Sequence, residues 1–122
     1  MKSFMLMLFC GFGVAMAIQD EAKEAIEKFD NVVVLFVRSS CPYCQYLLPI
    51  MDKVFIPYRR NIQYIVVEIS SMPDYYKKTY HFSTVPTALY YKNGKLQTSH
   101  GSNNKTITQH EVKDCVRRVY GL

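Results

Sequence analysis

Val32-Val33-Val34-Leu35-Phe36-Val37-Arg38-Ser39-Ser40-Cys41-Pro42-Tyr43-Cys44 is the stretch on which the reading of this chain turns. Its first six residues are a continuous β-branched and apolar run, the pattern of a strand buried on both faces. Pro42 suits the first turn of a helix, where its missing N–H would find no partner anyway. The two cysteines therefore stand at a strand-to-helix turn. A thiol placed there feels the positive end of the helix, which lowers its pKa and favours the thiolate. An unperturbed cysteine, with a pKa of about 8.5, is only a few per cent thiolate at pH 7. Cys44, one turn further on, is placed to attack any mixed disulfide that Cys41 makes.

Working outward from this turn, the periodicity yields an alternating order of elements. Asp20 to Phe29 reads as a helix with Ala22, Ala25, Ile26 and Phe29 on one face, and Asp20 and Glu21 suit its start. From Cys41 to about residue 58 a helical stripe of Tyr46, Leu47, Ile50, Met51 and Val54 is expected, with Pro49 inside it as a kink. Ile62–Ile69 is a second apolar strand, Ser70–Pro73 a turn, and 74–80 a short helix. Thr87–Tyr91 and Leu96–His100 are strands joined by the hairpin turn Lys92-Asn93-Gly94-Lys95. A polar loop, 101–105, leads to a last helix, Thr106–Tyr120, with Ile107, Val112, Cys115, Val116 and Val119 inward. Strands 32–37 and 62–69 with the helix between them form a right-handed parallel βαβ unit, and the closing hairpin adds antiparallel strands. Residues 18–122 thus form one α/β domain without repeats or linkers.

Composition narrows the function. The chain has 122 residues, 49% of them hydrophobic and 20% charged, which suits one globular domain. The formal charge is +5, but no Lys/Arg run is longer than two and no nucleic-acid motif is present, so no nucleic-acid partner is expected. Residues 1–17 differ in kind: Lys2, then the apolar Phe4–Phe9 and Gly11–Val14, then Ala15-Met16-Ala17. A short positive end, an apolar stretch and a small-x-small site are the layout of a secretory signal. The 17 uncharged residues from Ser3 to Gln19 are at the short edge for a membrane span, which needs about 20. The domain is therefore expected in a periplasmic or secreted location, with a membrane contact only if the signal stays uncleaved. Cleavage after Ala17 removes Cys10 and leaves Cys41, Cys44 and Cys115. Three cysteines do not make a disulfide scaffold, and without a second CxxC or a His pair no metal site is expected. A close pair in an oxidising compartment points to redox work.

A CxxC beside a βαβ pattern resembles a thioredoxin-like redox motif. The likeness continues in Thr84-Val85-Pro86-Thr87 and in Ala88-Leu89-Tyr90-Tyr91-Lys92-Asn93-Gly94-Lys95, which are similar to the family's cis-proline segment, strand and turn. Pro49 resembles its kinking proline, and Gly101 falls near its late glycine. The resemblance covers about residues 30–120 and implies a thioredoxin fold, a central mixed four-stranded sheet flanked by helices. Within it, Ser40-Cys41-Pro42-Tyr43-Cys44 is the sequence typical of glutaredoxins, but Gln97, Thr98 and Ser99 stand where those place paired glycines. Leu35 occupies the position of the buried acid of thioredoxins, so proton removal from Cys44 falls to water or another group. The family's first strand has no counterpart.

The resemblance implies a thiol–disulfide oxidoreductase that reduces, forms or exchanges protein disulfides. Cys41 is the expected nucleophile and Cys44 the resolving thiol. Pro86 is expected to be cis, opposite the pair, turning the backbone of Val85 outward for substrate pairing. Tyr43 is a candidate for substrate contact. No cofactor beyond the two cysteines is implied. The implied partners are proteins with thiols or disulfides and an unidentified redox partner, and a monomer is expected. The alternatives are a glutathione-dependent glutaredoxin and a thioredoxin-fold binding or chaperone module with a vestigial CxxC. Arg38 is expected to be a solvated charge and Cys115 a buried inert thiol. His81, His100 and His110 receive no role, and Asn104-Lys105-Thr106 is a glycosylation sequon.

Overall fold

The computed structural model describes residues 19–101 and 106–122. The signal-like segment 1–17, Cys10, nearly all of the polar loop and Asn104 and Lys105 of the sequon lie outside the described residues. The elements alternate as read from the sequence: α1 (Glu21–Lys28), β1 (Asn31–Val37), α2 (Pro42–Phe55), β2 (Gln63–Glu68), α3 (Pro73–Tyr80), β3 (Thr87–Lys92), β4 (Lys95–Gly101) and α4 (Gln109–Tyr120), with a short 3-10 turn, Ile56–Tyr58, after α2.

The four strands form one sheet in the order β2-β1-β3-β4. β1 runs parallel to β2, with Val34 beside Ile65, and antiparallel to β3, with Leu35 beside Ala88. β3 and β4 form the expected hairpin. Asn93 and Gly94 both have positive φ, 53° and 80°, as the mirror-image two-residue turn requires. Val32 to Val37 are all buried because β1 lies at the centre of the sheet with helices on both faces.

Strand alternation divides those residues between two cores. Val33, Leu35 and Val37 face α2 and α4 together with Cys44, Leu47, Met51, Tyr90 and Val116. Val32, Val34 and Phe36 face α1 and α3 together with Ala22, Ile69, Tyr76, Tyr80 and Leu89. Phe36 meets Tyr80 and Phe82 at ring separations of 5.1 and 4.7 Å.

Three local expectations change. Helix α4 begins at Gln109 rather than at Thr106, because Thr108 and Glu111 form a reciprocal capping box: the Thr108 hydroxyl accepts from the Glu111 amide and the Glu111 carboxylate accepts from the Thr108 amide. Ile107 is buried, yet it packs from the segment before the cap. Phe29 is 40% exposed, since it caps the end of α1 in extended conformation and leaves the helical face. On α2 the buried stripe is Cys44, Leu47, Met51, Val54 and Phe55; Tyr46 is 53% exposed and Ile50 only half-buried. Cys44 takes the inward position of the first turn, which rotates Tyr46 out to solvent.

Candidate redox site

Cys41 is the N-cap residue of α2, in extended conformation, and its sulfur accepts the Cys44 amide at 3.1 Å. A capping side chain normally supplies an oxygen here; this chain supplies a sulfur. The two cysteines are joined as a disulfide with their Cα atoms 5.2 Å apart. The pair is asymmetric. Cys41 is half-buried at the rim, whereas Cys44 is 1% exposed and belongs to the core on the α2 side. Leu35, 0% exposed, lies in the same core, so the sheet beneath the pair presents an alkyl group at this position.

The segment before β3 forms the opposite wall. The Val85–Pro86 peptide bond is cis, as expected, and Pro86 is buried. The Val85 carbonyl oxygen stands 3.8 Å from the Cys41 sulfur. The Thr87 hydroxyl donates to the Thr84 carbonyl at 2.5 Å and closes this loop on itself. Cys41, Val85 and Pro86 are therefore brought together from distant parts of the chain. Tyr43, 40% exposed, stands beside Cys41 on the first turn of α2.

The link between β1 and α2 is held by groups that sequence reasoning missed. The Ser39 amide donates to Glu68 at 2.8 Å, the Gln45 side-chain amide donates to the Ser39 carbonyl at 3.2 Å, and the Cys41 amide donates to Arg38 at 3.3 Å. Glu68 also accepts from the Ser70 amide at 2.8 Å and from its hydroxyl. These donors, the Ser70 hydroxyl first and the Arg38 charge least, hold the Glu68 carboxyl below the usual carboxylate range. A Glu ending a strand with Ser two residues later was the available signal. Arg38 is not the freely solvated charge expected. It is half-buried, and its Nε is buried without a hydrogen-bond partner.

The remaining candidates lie apart from the pair or without a link to it. Cys115 is a buried free thiol; burial pushes its pKa up, and the Arg118 guanidinium reaches its sulfur at 3.6 Å. His100 meets the Tyr90 hydroxyl at 3.0 Å, and His81 ends α3 in the left-handed region. Among the described residues no cluster of three or more His, Cys, Asp or Glu side chains offers a metal site. Among them, too, no helix is long and apolar enough to cross a membrane.

The arrangement has one accessible sulfur at a helix N-terminus, a second sulfur bonded behind it, and a backbone edge alongside. The thioredoxin family model matches residues 13–114 of this chain. No curated protein matches it. Among solved structures it is similar to a single-substitution variant of the thioredoxin from Halobacterium salinarum NRC-1, at 17% identity over 85% of this chain and 87% of that one, with a TM-score of 0.70. It is similar to oxidised mitochondrial thioredoxin 3 from Saccharomyces cerevisiae, at 18% identity over 80% and 86% of the two chains, TM-score 0.66. Oxidised thioredoxin O2 from Arabidopsis thaliana gives 17% identity over 81% and 80%, TM-score 0.64. At these identities the structural likeness speaks for the fold.

Proposed function

The chain belongs to the thioredoxin family and is a thiol–disulfide oxidoreductase, and from that premise we propose that Cys41 is its nucleophile, Cys44 its resolving thiol and a protein disulfide outside the cytosol its substrate. In the reduced enzyme the Cys41 thiolate attacks one sulfur of the substrate disulfide. A Cys41–substrate disulfide forms, and the other substrate cysteine leaves as a thiolate. Cys44 then gives its proton to solvent and attacks the Cys41 sulfur. The second substrate cysteine departs, takes up a proton, and leaves the enzyme as the Cys41–Cys44 disulfide. Two electrons have passed to the substrate, and a dithiol partner must return them. The same steps in reverse introduce a disulfide into a substrate dithiol.

The observation that carries this division of labour is the asymmetry of the pair. Cys41 is the half-exposed N-cap that receives an amide donor, and Cys44 is 1% exposed. An incoming sulfur reaches Cys41 first, and the N–H that caps the helix favours the thiolate there. Val85 and Pro86 form the wall that a substrate backbone meets, and Tyr43 borders it. The test is Cys44→Ala in the native compartment, with mixed disulfides preserved by acid quenching and alkylation. Proteins linked through Cys41 are expected; if Cys44 proves to carry the adducts in Cys41→Ala instead, the assignment is reversed.

The extracytoplasmic setting is supported by the positive, apolar and small-x-small layout of residues 1–17. Mass spectrometry of the mature protein from its native source is expected to find Ile18 at the N-terminus. A cytosolic protein beginning at Met1 would remove this part of the reading.

A further inference from the structure

The exposed side of α2 carries an apolar stripe that the redox step alone does not require. Tyr43 is 40% exposed, Tyr46 53% exposed, and Ile50 is half-buried, packed in part against the core beneath α2 and in part open to solvent. At about 100° per residue these three fall within about 60° of one another on the helix, on the flank away from Cys44. The stripe begins beside Cys41 itself, so it continues the surface on which a substrate sulfur must land. It is also uncharged: from Pro42 to Met51 no residue carries a charge, in a chain of net +5, and Asp52 is the first to do so. Neither packing nor solubility calls for two exposed tyrosines here, because the core face of α2 is already supplied by Cys44, Leu47, Met51 and Val54.

We propose that Tyr43, Tyr46 and Ile50 form a selectivity strip for extended, disulfide-bearing polypeptide segments that carry a bulky apolar side chain two to four residues from the target cysteine. The inference rests on the proposed role of Cys41. The spacing follows from the helix rise. Tyr46 lies about 7.5 Å and Ile50 about 13 Å along the axis from Cys41. An extended segment advances about 3.3 Å per residue, so its second to fourth residues beyond the cysteine reach the strip. The tyrosine rings offer wide apolar faces at small cost in conformational entropy, and their hydroxyls stay in water. The lack of charge selects against acidic and basic flanks, whose hydration the strip cannot replace.

The test uses disulfide-bonded Gly/Ser host peptides with one Phe placed at each position from one to six residues on either side of the cysteine. With dithiothreitol as electron donor, kcat/KM of the wild type is expected to be about tenfold higher for Phe two to four residues away than for the Ser peptide. Tyr46→Ser is expected to remove most of that preference, read as a ratio within the same variant. Ile56→Ser, a 60% exposed residue just past the other end of α2, is expected to keep it. A position profile that is flat in the wild type, or unchanged in Tyr46→Ser, overturns the strip. Failure of the wild type to reduce even bis(2-hydroxyethyl) disulfide overturns the Cys41 reading beneath it and the strip with it.

Discussion

Two helices of this molecule start in the same way and do different things. Asp20 caps α1 and Cys41 caps α2; each is in extended conformation, and each side chain accepts the amide three residues on at 3.1 Å. Asp20, however, is 5% exposed, and its other carboxylate oxygen accepts the hydroxyls of Tyr75 and Tyr80, both at 2.7 Å. Cys41 is half-exposed, with the Val85 carbonyl 3.8 Å away and solvent in front. One cap is saturated with donors and closed into the α1–α3 side of the sheet. The other accepts one amide, is bonded to Cys44 and stands half-exposed at the rim. Local geometry makes both residues good anion positions; burial and the number of partners decide which is closed off as a fastener and which stays open at the surface.

Exchanging the chemistry at one cap while keeping its geometry breaks the comparison most sharply. In Cys41→Asp the new carboxylate caps α2 as Asp20 caps α1, so the helix and the fold are expected to survive. Disulfide reduction is expected to fall about a thousandfold or more, to the level of the uncatalysed exchange. Insulin reduction beside a far-ultraviolet circular dichroism spectrum checks both halves. Retained turnover would show that the thiol at this cap is not the nucleophile.

The opposite exchange tests the fastener. Asp20→Ala removes the α1 cap and leaves the Tyr75 and Tyr80 hydroxyls without their acceptor. A lost cap costs about 1 kcal/mol, and the stranded buried Tyr80 hydroxyl and the lost charge-assisted bonds cost about 1–3 kcal/mol more. A loss near 3 kcal/mol is expected in urea unfolding, with kcat/KM for a small disulfide unchanged. Asp20→Asn, which keeps the cap but cannot accept both hydroxyls equally well, is expected to lose roughly half as much. A drop in activity that exceeds the drop in folded fraction would show that the two caps are coupled.

The two caps also differ in how far the sequence discloses them. The Cys41 corner is legible because its signals are contiguous: a buried strand, a turn and a helix-starting proline stand within 13 residues, from Val32 to Cys44. The cis Val85–Pro86 bond was legible only through family likeness, since nothing within Thr84–Thr87 fixes the isomer. Asp20 reads as a helix start and no more, because its partners lie 55 and 60 residues away and no periodicity connects them. Tyr46 is ambiguous in the sequence for a different reason. The first turns of α2 are apolar almost all round, so a stripe through Tyr46 and one through Cys44 fit the pattern equally well until packing selects one. Arg38 and Glu68 sit where strands end, and the burial of the Arg38 Nε and the hydrogen bonds of the exposed Glu68 depend on how the neighbouring loops fold.

Alkaline titration gives a smaller and graded test of the fastener. Burial, followed by its bond to Asp20, raises the Tyr80 hydroxyl well above its ordinary value near 10; Tyr90 is raised by burial above all. Folded protein then holds protons that the unfolded chain releases above pH about 10, so stability is fully present below that pH and is lost progressively as pH climbs from it towards the raised values of the folded state. The wild type is expected to show a falling urea midpoint above pH 10. Tyr80→Phe, which has no proton to lose there, is expected to fall less steeply, whatever its stability at pH 7. Equal slopes would mean that Tyr80 ionises as easily in the fold as outside it.

Gly101 offers the smallest perturbation, and it reaches the surroundings of the Cys41 cap without touching it. It ends β4 opposite Thr87. A Cβ at this position would lie 3.3 Å from the Thr87 hydroxyl oxygen and 3.5 Å from the Pro86 carbonyl oxygen. Thr87 has little room to yield, because it is 7% exposed and its hydroxyl is tied to the Thr84 carbonyl at 2.5 Å. Gly101→Ala therefore has to shift the 84–87 loop by a few tenths of an ångström, and Val85 moves with it. Overpacking of this size costs about 1 kcal/mol, while the Cys41 sulfur, held by the Cys44 amide from α2, stays in place. A severalfold loss of kcat/KM is expected for peptide disulfides, proposed to pair with the Val85 edge, and little loss for a small disulfide, which needs only the sulfur. Equal losses on both would place the disturbance at the cap itself, and the reactive corner would then depend on the sheet edge as firmly as Asp20 depends on its tyrosines.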